Sequence, residues 1–468
     1  MWSKKLIFNL FILSSTLGIT IKSSGGFARR SLFEESYNDI YKSYFEYSEN
    51  FDSCQANFID ADTYNPLENS ELISVQMIMR HGDRVPVYLI KNDGNTWDFC
   101  KLSKYNSILR PITSAMINST ADDISKGSKV VVPSNELCKS GDLSEKGGLA
   151  SLDLGKATRS VYVDKLGFLD RNLKNTDQIK IRTSSSARTM QTAAFFLSGL
   201  YPIVENNTDV IFNTFYVPPG SESMTDNYAI CPKTLFINDK IQESDEYLEY
   251  LNQNSDKISL MNSIYEAFND SLQFKKTRYY YYDSLQPRIC HNIPYPCNSE
   301  GKCVTDEFYQ TFRTGVSWEY IFLRTMHKLS PELKLVLHGF FMSDLKRDLE
   351  ELVKNNKNRK KCPKKNNPRF YLYSAHDSTI NHVIFSLLGY IPNTFLPPFS
   401  SNLFLEVWKN KTSGKLSVRI IYNNSILKVL GENGSSQPWC NFNSCDYDTF
   451  INFLSKVQVT DPVSQCVV

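Results

Sequence analysis

The sequence predicts an α/β protein with a mostly parallel sheet and helices on both faces. Three short apolar segments, Leu72–Met79, Ile179–Arg182 and residues 370–375, are typical of buried strands. Helical patterns alternate with these strands, and this order implies parallel strands whose two faces are covered. Polar side chains stand where each strand ends, which is where ligands bind in such sheets. The three strand ends are therefore the first places to look for a functional site.

The first 22 residues are predicted to be a targeting segment. Met1–Lys5 is positively charged, and Leu6–Ile21 is a mostly apolar run of 16 residues. This run is shorter than the ~20 residues that a transmembrane helix needs, so a cleaved secretory signal is favoured. An uncleaved signal-anchor stays open, and only then would the chain be held at a membrane. Residues 23–68 are polar and are interpreted as an extension outside the core.

Composition places the chain among soluble globular proteins of the secretory pathway. It has 468 residues, 41% hydrophobic and 22% charged, and its net charge of +2 gives no reason to expect nucleic acid as a partner. Eleven cysteines and six N-x-S/T sequons follow the predicted signal, which favours a secreted or Golgi-lumenal glycoprotein with disulfides. Cys440 and Cys445 are expected to pair, and the other connectivities stay open. The odd count leaves at least one thiol free or paired between chains.

Two helices are predicted in the first half of the core. Residues 143–147 begin the first, whose apolar side chains lie near one face: Leu149, Leu152, Ala157 and Val161. The second extends from Ser186 to about Leu197 and is expected to end at Gly199 and Pro202.

Residues 216–330 interrupt the alternation of strand and helix. They are rich in acids and tyrosines and include helical stretches such as Ile241–Asn252 and Ile258–Phe274. We interpret them as a helical lobe inserted over the strand ends, which leaves a discontinuous core of residues 69–215 and 331–468. Near the end, two strand patterns flank a Lys-Thr-Ser-Gly turn at 411–414 and predict an antiparallel hairpin at the sheet edge.

The first strand ends in the heptapeptide Arg80-His81-Gly82-Asp83-Arg84-Val85-Pro86. Two guanidinium groups offer forked donors that suit a phosphate dianion. His81 between them is a candidate nucleophile toward phosphorus, and Gly82 lets another group approach the backbone closely. A charge cluster on a surface loop is the alternative for a short R-H-G, but the longer pattern after a strand favours a phosphate site.

This heptapeptide resembles the R-H-G-x-R-x-P signature of the histidine acid phosphatases, a branch of the histidine phosphatase superfamily. That family has a second histidine followed by an acid at the end of another strand, which His376 and Asp377 match. It also has a further arginine in the pocket, which we assign to Arg182. The resemblance implies a phosphoglycerate mutase-like fold.

The resemblance also implies the activity and the roles of the site residues. A phosphomonoester would transfer its phosphoryl group to His81, and Asp377 would protonate the leaving group. The remaining residues would bind the phosphate: Arg80, Arg84, Arg182 and His376. No cofactor and no metal is implied.

The substrate class stays open at this point. Residues 135–143 and 290–297 are similar to the subgroup that removes phosphate from the xylose of the glycosaminoglycan linkage region. That subgroup lacks an arginine where this chain has Arg182, so the pocket resembles that of a general acid phosphatase. Phytase-type members carry a small residue in place of Asp83, which makes inositol polyphosphates the weaker alternative. A silent secreted binding protein of the same fold is the other alternative.

Several further residues are given structural interpretations. Cys290, Cys297 and Cys303 beside His291 could suggest zinc, but the loose spacing and the oxidising compartment favour disulfides. Arg188 is interpreted as pairing within its helix or supporting the pocket from behind. The other histidines are interpreted as core, surface or structural residues: His291, His327, His338 and His382. The tyrosines at 279–282 are interpreted as core residues of the lobe, with a sugar-stacking surface as the alternative.

Overall fold

The computed structural model describes residues 52–90, 94–116, 128–130, 137–172, 176–203, 210–226, 228–267, 279–359, 368–390, 396–432 and 436–468. The predicted targeting segment lies outside these ranges, as do four of the six sequons, at Asn118, Asn206, Asn269 and Asn433. Within the described ranges, no helix combines the length and the apolar character needed to span a bilayer.

Twelve strands form in the described residues: β1 (Ser70–Arg80), β2 (Ile112–Met116), β3 (Ser128–Val130), β4 (Ile179–Thr183), β5 (Phe212–Tyr216), β6 (Phe370–Ala375), β7 (Gly389–Tyr390), β8 (Asn402–Asn410), β9 (Leu416–Tyr422), β10 (Ser425–Ile426), β11 (Lys428–Val429) and β12 (Cys445–Asp446). Eleven α-helices accompany them in the same ranges: α1 (Glu145–Arg159), α2 (Ala187–Leu200), α3 (Lys233–Gln242), α4 (Asp245–Gln253), α5 (Ser255–Ala267), α6 (Tyr279–Cys290), α7 (Asp306–Ile321), α8 (Ser330–Arg359), α9 (Asp377–Ser386), α10 (Tyr447–Lys456) and α11 (Pro462–Gln465).

The main sheet has the order β10-β9-β8-β1-β6-β4-β5-β2-β3. The five central strands β1, β6, β4, β5 and β2 run parallel. The hairpin of β8 and β9 adds antiparallel strands beside β1, and β3 pairs antiparallel with β2 at the other edge. This topology confirms the predicted mostly parallel sheet and the predicted antiparallel hairpin.

Helices cover both faces of this sheet, as predicted. On one face, Val75 and Met77 of β1 pack in a cluster with Leu154 of α1 and Leu197 of α2. On the opposite face, Ile78 of β1 packs in a second cluster with side chains of α8, α9 and α10. Residues alternate between the two clusters because successive side chains of a strand point to opposite faces.

Helices α1 and α2 pack through glycines. A Cβ atom on Gly155 would lie 2.0 Å from the Phe196 carbonyl oxygen, and one on Gly199 would lie 2.0 Å from that of Leu152. Of the four side chains on the predicted apolar face of the first helix, Leu149 is 38% exposed, whereas Leu152, Ala157 and Val161 pack against the core. Helix α2 ends at Leu200, between Gly199 and Pro202 as expected, and Gly199 itself is helical and lies at the contact with α1.

The described part of the predicted extension packs against the core instead of standing outside it. The hydroxyl of the buried Tyr64 donates a hydrogen bond of 2.8 Å to Oε1 of Glu406 in β8. Cys54 forms a disulfide with Cys290 at the end of α6. Residues 52–68 therefore belong to the folded body.

Five disulfides join ten of the eleven cysteines: Cys54–Cys290, Cys100–Cys138, Cys231–Cys466, Cys297–Cys303 and Cys440–Cys445. The predicted bridge between Cys440 and Cys445 is confirmed, and the three cysteines considered for zinc all form disulfides. The eleventh, Cys362, lies outside the described residues. Five disulfides are typical of proteins that fold in the secretory pathway.

Helices α3 to α7 lie in the stretch where the sequence predicts an inserted lobe. Helices α5, α6 and α7 share one cluster, with Met261, Leu285 and Val316 buried. Helices α3 and α4 pack instead in a cluster with the start of α8, through Ile237 and Tyr247. Helix α6 contacts the loops that follow the central strands, through the ion pair of Asp283 and through Tyr279, both described below.

Candidate active site

The heptapeptide loop follows β1 and packs against the start of α1. The His81 backbone N–H donates to the Ala375 carbonyl oxygen of β6 over 3.0 Å, which ties the two strand ends together. A Cβ atom on Gly82 would lie 2.2 Å from the Gly147 carbonyl oxygen. Only glycine allows this contact, which confirms the close approach predicted for Gly82 and holds His81 at the edge of the sheet.

The His81 ring presents a neutral imidazole with one free lone pair. Its Nδ1 lies 2.8 Å from the Gly82 carbonyl oxygen. A carbonyl can only accept, so Nδ1 carries the proton and Nε2 carries the lone pair. Burial, then the charges of Arg188, Arg84 and Arg80, lower the pKa of His81 well below its usual value. Nε2 is therefore available as a nucleophile even in acid.

Arg80 and Arg84 flank His81 and are both almost fully buried. The Arg80 guanidinium lies 3.0 Å from Oδ2 of Asp377 and stacks over the Phe399 ring at 4.3 Å. The Arg84 guanidinium forms an ion pair with Asp283 of α6. The two predicted arginines are thus held in fixed orientations beside the nucleophile.

His376, as a neutral imidazole, and Arg188 complete the ring of polar groups around His81. The His81 and His376 ring centroids lie 5.5 Å apart, and the rings meet edge to face at 75°. Nε2 of His376 lies 2.8 Å from Oγ of Ser184, and Nδ1 lies 3.4 Å from the guanidinium of Arg188. Burial, then the charge of Arg188, lowers the pKa of His376 to about 3.

Arg182 does not join this group, so the structure contradicts its assignment as the pocket arginine. Its guanidinium lies 2.8 Å from Asp344 of α8 and 2.7 Å from Glu222. The reason is strand alternation: Ile181 packs on the face that α1 and α2 cover, so the next side chain points to the α8 face. Arg188, in the first turn of α2, reaches the strand ends instead.

Asp377 is the first residue of α9 and is held as a carboxylate. Besides Arg80, it accepts a hydrogen bond of 2.7 Å from the Tyr279 hydroxyl at Oδ2 and one of 2.8 Å from the Ser378 N–H at Oδ1. Burial alone would raise its pKa, but Arg80, then Tyr279, lowers the pKa of Asp377 to about 2. No sequence signal connects Tyr279 to Asp377, because 98 residues separate them.

Asp83 supports the loop from behind. It is 1% exposed and accepts a hydrogen bond of 2.5 Å from Oγ of Ser144, the N-cap residue of α1. Nε2 of His291 also contacts the Asp83 carboxylate, and its ring stacks on Phe99 with centroids 3.9 Å apart. Sequence reasoning missed this role of His291, which follows α6 directly.

The arrangement suits a dianion that reacts with a nitrogen nucleophile. Arg80, Arg84 and Arg188 surround His81, and their charges all act on its ring. Preorganised positive groups of this kind stabilise the charge that develops in phosphoryl transfer. Asp377, next to His376 on the same side of the sheet, is the one carboxyl group in this set that can exchange a proton with a reacting group.

Comparisons with known proteins agree with this geometry. Residues 71–423 match the family described as "Histidine phosphatase superfamily (branch 2)". The chain is 25% identical over 365 residues to 2-phosphoxylose phosphatase 1 of Rattus norvegicus, covering 75% of this chain and 70% of the relative. It is 24% identical over 410 residues to Counting factor 60 of Dictyostelium discoideum, covering 84% and 87%. The crystal structure of Hafnia alvei phytase shares the fold, with a TM-score of 0.53 and 14% identity, over 86% of this chain and all of the phytase chain.

Proposed function

The chain belongs to the histidine phosphatase superfamily, branch 2, as a histidine acid phosphatase, and from this premise we propose how its side chains act. His81 takes the phosphoryl group of a phosphomonoester as a phosphohistidine. Arg80, Arg84, Arg188 and His376 bind the phosphate, and Asp377 moves the proton.

One observation carries this proposal. The His81 imidazole has its Nδ1 proton fixed by the Gly82 carbonyl, so the Nε2 lone pair is available among three guanidinium groups. A nucleophile that attacks a dianion must not be protonated, and the charge of the dianion must be neutralised. The geometry around His81 supports both an unprotonated nucleophile and positive charge that neutralises the dianion.

In the first step, the Nε2 lone pair attacks phosphorus as the bond from phosphorus to the ester oxygen breaks. The departing alkoxide takes a proton from Asp377, so the alcohol leaves and the phosphoryl group stays on His81. In the second step, a water molecule attacks phosphorus and gives its proton to the Asp377 carboxylate. The bond from phosphorus to nitrogen breaks, and inorganic phosphate is released.

Asp377 must be protonated for the first step, although its pKa is lowered to about 2 without substrate. A bound phosphate dianion changes this balance, because its negative charge lies near the carboxylate and draws Arg80 to itself. Both effects raise the pKa of Asp377. The substrate thus helps to protonate its own acid, which favours activity under acidic conditions.

For the substrate class, we propose a phosphorylated sugar, 2-phosphoxylose of the glycosaminoglycan linkage region. Relatives named 2-phosphoxylose phosphatase 1 support this choice. The apparent departure at Arg182 no longer weighs against it, since that arginine lies outside the candidate site. Five disulfides and the predicted signal support a secreted or Golgi-lumenal location.

The second candidate is an inositol polyphosphate. The fold shared with Hafnia alvei phytase does not decide the substrate, and phytase-type members differ from this chain at Asp83. Because Asp83 is buried and bound by Ser144 and His291, it faces the protein and gives no direct contact to a substrate. Phosphoxylose and inositol polyphosphate must therefore be distinguished as substrates by experiment.

The test measures hydrolysis of p-nitrophenyl phosphate at acid pH by the glycosylated, oxidised protein and by His81→Ala. We expect clear turnover by the wild type and a loss of roughly 10⁴-fold or more in the variant, the size seen when a nucleophile is removed. Equal and negligible rates would instead support a silent binding protein. Competition among phosphoxylosyl glycan, inositol hexakisphosphate and a phosphopeptide then ranks the substrates by kcat/KM.

A further inference from the structure

A second pair of histidines is buried away from His81, on the face of the sheet covered by α8 and α9. His338 of α8 and His382 of α9 are both fully buried. Their rings stack at a centroid distance of 4.3 Å with 25° between the planes. The proposed phosphatase chemistry uses neither of them.

These rings are short of hydrogen-bond partners. Among the described residues, neither nitrogen of His338 has a partner, and Nδ1 of His382 has none. Buried polar nitrogens are nearly always satisfied, and leaving them unpaired costs stability. These nitrogens are therefore available to bind a species at the ring edges, either water or a cation.

Asp226, in the segment after β5, adds a carboxylate to the pair. Its Oδ1 lies 2.8 Å from Nε2 of His382, and its Oδ2 lies 3.0 Å from the guanidinium of Arg324. One ligand atom from each of Asp226, His338 and His382 lies within 4.8 Å of the other two. Arg324 holds one carboxylate oxygen and thereby turns the other toward the histidines.

We propose that Asp226, His338 and His382 bind one Zn²⁺ ion. Two imidazole nitrogens and one carboxylate oxygen are a common zinc donor set, and a water molecule would take the fourth position. Bonds of about 2.0–2.1 Å place tetrahedral ligand atoms roughly 3.3 Å apart. Asp226 and His382, now 2.8 Å apart, must therefore open slightly, and the His338 imidazole must turn and move in so that its nitrogen points at the ion.

The site would join three elements near the candidate active site. It links α8, the segment after β5 and α9, and α9 begins at Asp377. The charges of Asp226 and Asp377 already act on each other across this region. Zinc here has a structural role: it fixes the helix that presents the catalytic acid, and no step of the reaction passes through it.

The test begins with the full-length glycosylated protein, stripped with a chelator and titrated with ZnSO₄. We expect about one zinc per chain by elemental analysis after desalting. We also expect a melting temperature that rises with the logarithm of free zinc, because only the folded state binds the ion. Co²⁺ in place of zinc should give the visible absorption of a four-coordinate site.

Variants locate the ion. His338→Phe and His382→Ala should each lose the bound zinc and the zinc-dependent rise in melting temperature. His81→Ala and His327→Ala should keep both, because these histidines lie outside the three-residue cluster. Keeping His81→Ala in the set also separates this site from adventitious zinc on the histidines around the phosphate.

Two results would overturn the proposal. The first is wild-type protein that binds no zinc and shows no thermal shift, which would leave water as the species between the rings. The second is equal zinc binding by wild type, His338→Phe and His382→Ala. Because the wild-type titration decides the first result, the test does not depend on the variants folding. Neither result bears on the phosphatase assay, so the two proposals fail separately.

Discussion

The region around His81 and the region around Arg182 each gather three cationic side chains, but they differ in their carboxylates. Around His81 stand three arginines with two carboxylates: Arg80, Arg84 and Arg188 with Asp283 and Asp377. Around Arg182, beside a cavity of about 790 Å³, stand three cations with four carboxylates: Lys180, Arg182 and Arg347 with Glu222, Asp344, Asp348 and Glu351.

This difference shows where an anion can bind. In the Arg182 region, the carboxylates already outnumber the cations, so a phosphate dianion would be repelled. In the His81 region, the cations are in excess, and no carboxylate of the described residues forms an ion pair with Arg188. Counting arginines in a sequence cannot separate the two cases. Whether an anion can bind depends on how many carboxylates the fold places beside each arginine.

Among the groups around His81, the largest effect is expected from Asp377→Asn, which keeps the shape of the side chain and removes its exchangeable proton. We expect kcat for an alkyl phosphate to fall by about 10³-fold, within the usual range for general acid catalysis. The loss should be much smaller for p-nitrophenyl phosphate, because p-nitrophenolate leaves without protonation. Steady-state kinetics with both substrates measure the ratio, and equal losses would show that Asp377 is not the proton donor.

A matched pair, Arg188→Met and Arg182→Met, tests the comparison directly. For Arg188→Met we expect kcat/KM to fall roughly 10²-fold, since a charge-assisted contact to the phosphate is lost. Arg182→Met should keep kcat/KM within a few-fold of wild type. It should lose stability by about 3–5 kcal/mol, because the buried Glu222 loses its cation and Asp344 keeps only Arg347. If Arg182→Met lost more kcat/KM than Arg188→Met, Arg182 would be the arginine that binds the phosphate.

Part of the pH dependence of stability should come from the His81 region. His81 and His376 have pKa values below their unfolded value, and that of His376 is about 3. Below about pH 6.5 the unfolded chain therefore binds more protons than the folded protein. For each pH unit of further acidification, each histidine lowers the unfolding free energy by about 1.4 kcal/mol. Denaturant unfolding between pH 7 and pH 4 should show this slope, and His81→Ala should make it shallower. An unchanged slope in that variant would contradict the lowered pKa of His81.

Tyr279→Phe should have the smallest effect and a distinct signature. Losing the hydroxyl removes a hydrogen bond that favours the Asp377 carboxylate, so the pKa of Asp377 rises. The alkaline limb of the kcat profile should then move up by about half a pH unit to one unit, with kcat at the optimum changed only a few-fold. Tyr281→Phe, in the same helix, is the control and should leave the profile in place. If the pH profile of kcat does not move, Tyr279 contributes only to the packing of the lobe.

Much of the fold could be predicted from the sequence because the signals are local. The sequence patterns predict three of the five central strands, β1, β4 and β6, and the motif residues follow directly where β1 and β6 end. Arg80, His81 and Arg84 come from one loop, and His376 and Asp377 come from another. Two parallel neighbouring strands necessarily bring these two loops together, which is why the sequence could place them at one edge.

The remaining site residues could not be predicted, because their positions depend on side-chain direction and distant packing. Arg182 and Arg188 are six residues apart, and the choice between them depends on which face of β4 turns toward α8. Tyr279 and His291 lie at the two ends of α6, and only the docking of that helix brings them to Asp377 and Asp83. The glycine contact between α1 and α2 could not be predicted either, because the spacing of apolar side chains gives no sign of a contact made by glycines.

The disulfide between Cys54 and Cys290 has a consequence for biosynthesis. It closes a loop of 236 residues and fastens the end of α6 to the segment that precedes β1. His81 is translated some two hundred residues before α6, so the nucleophile leaves the ribosome without Tyr279, Asp283 or His291. A nascent chain therefore carries no finished phosphate site until α6 has been made and docked, in the position that the Cys54–Cys290 disulfide ties to the start of the fold.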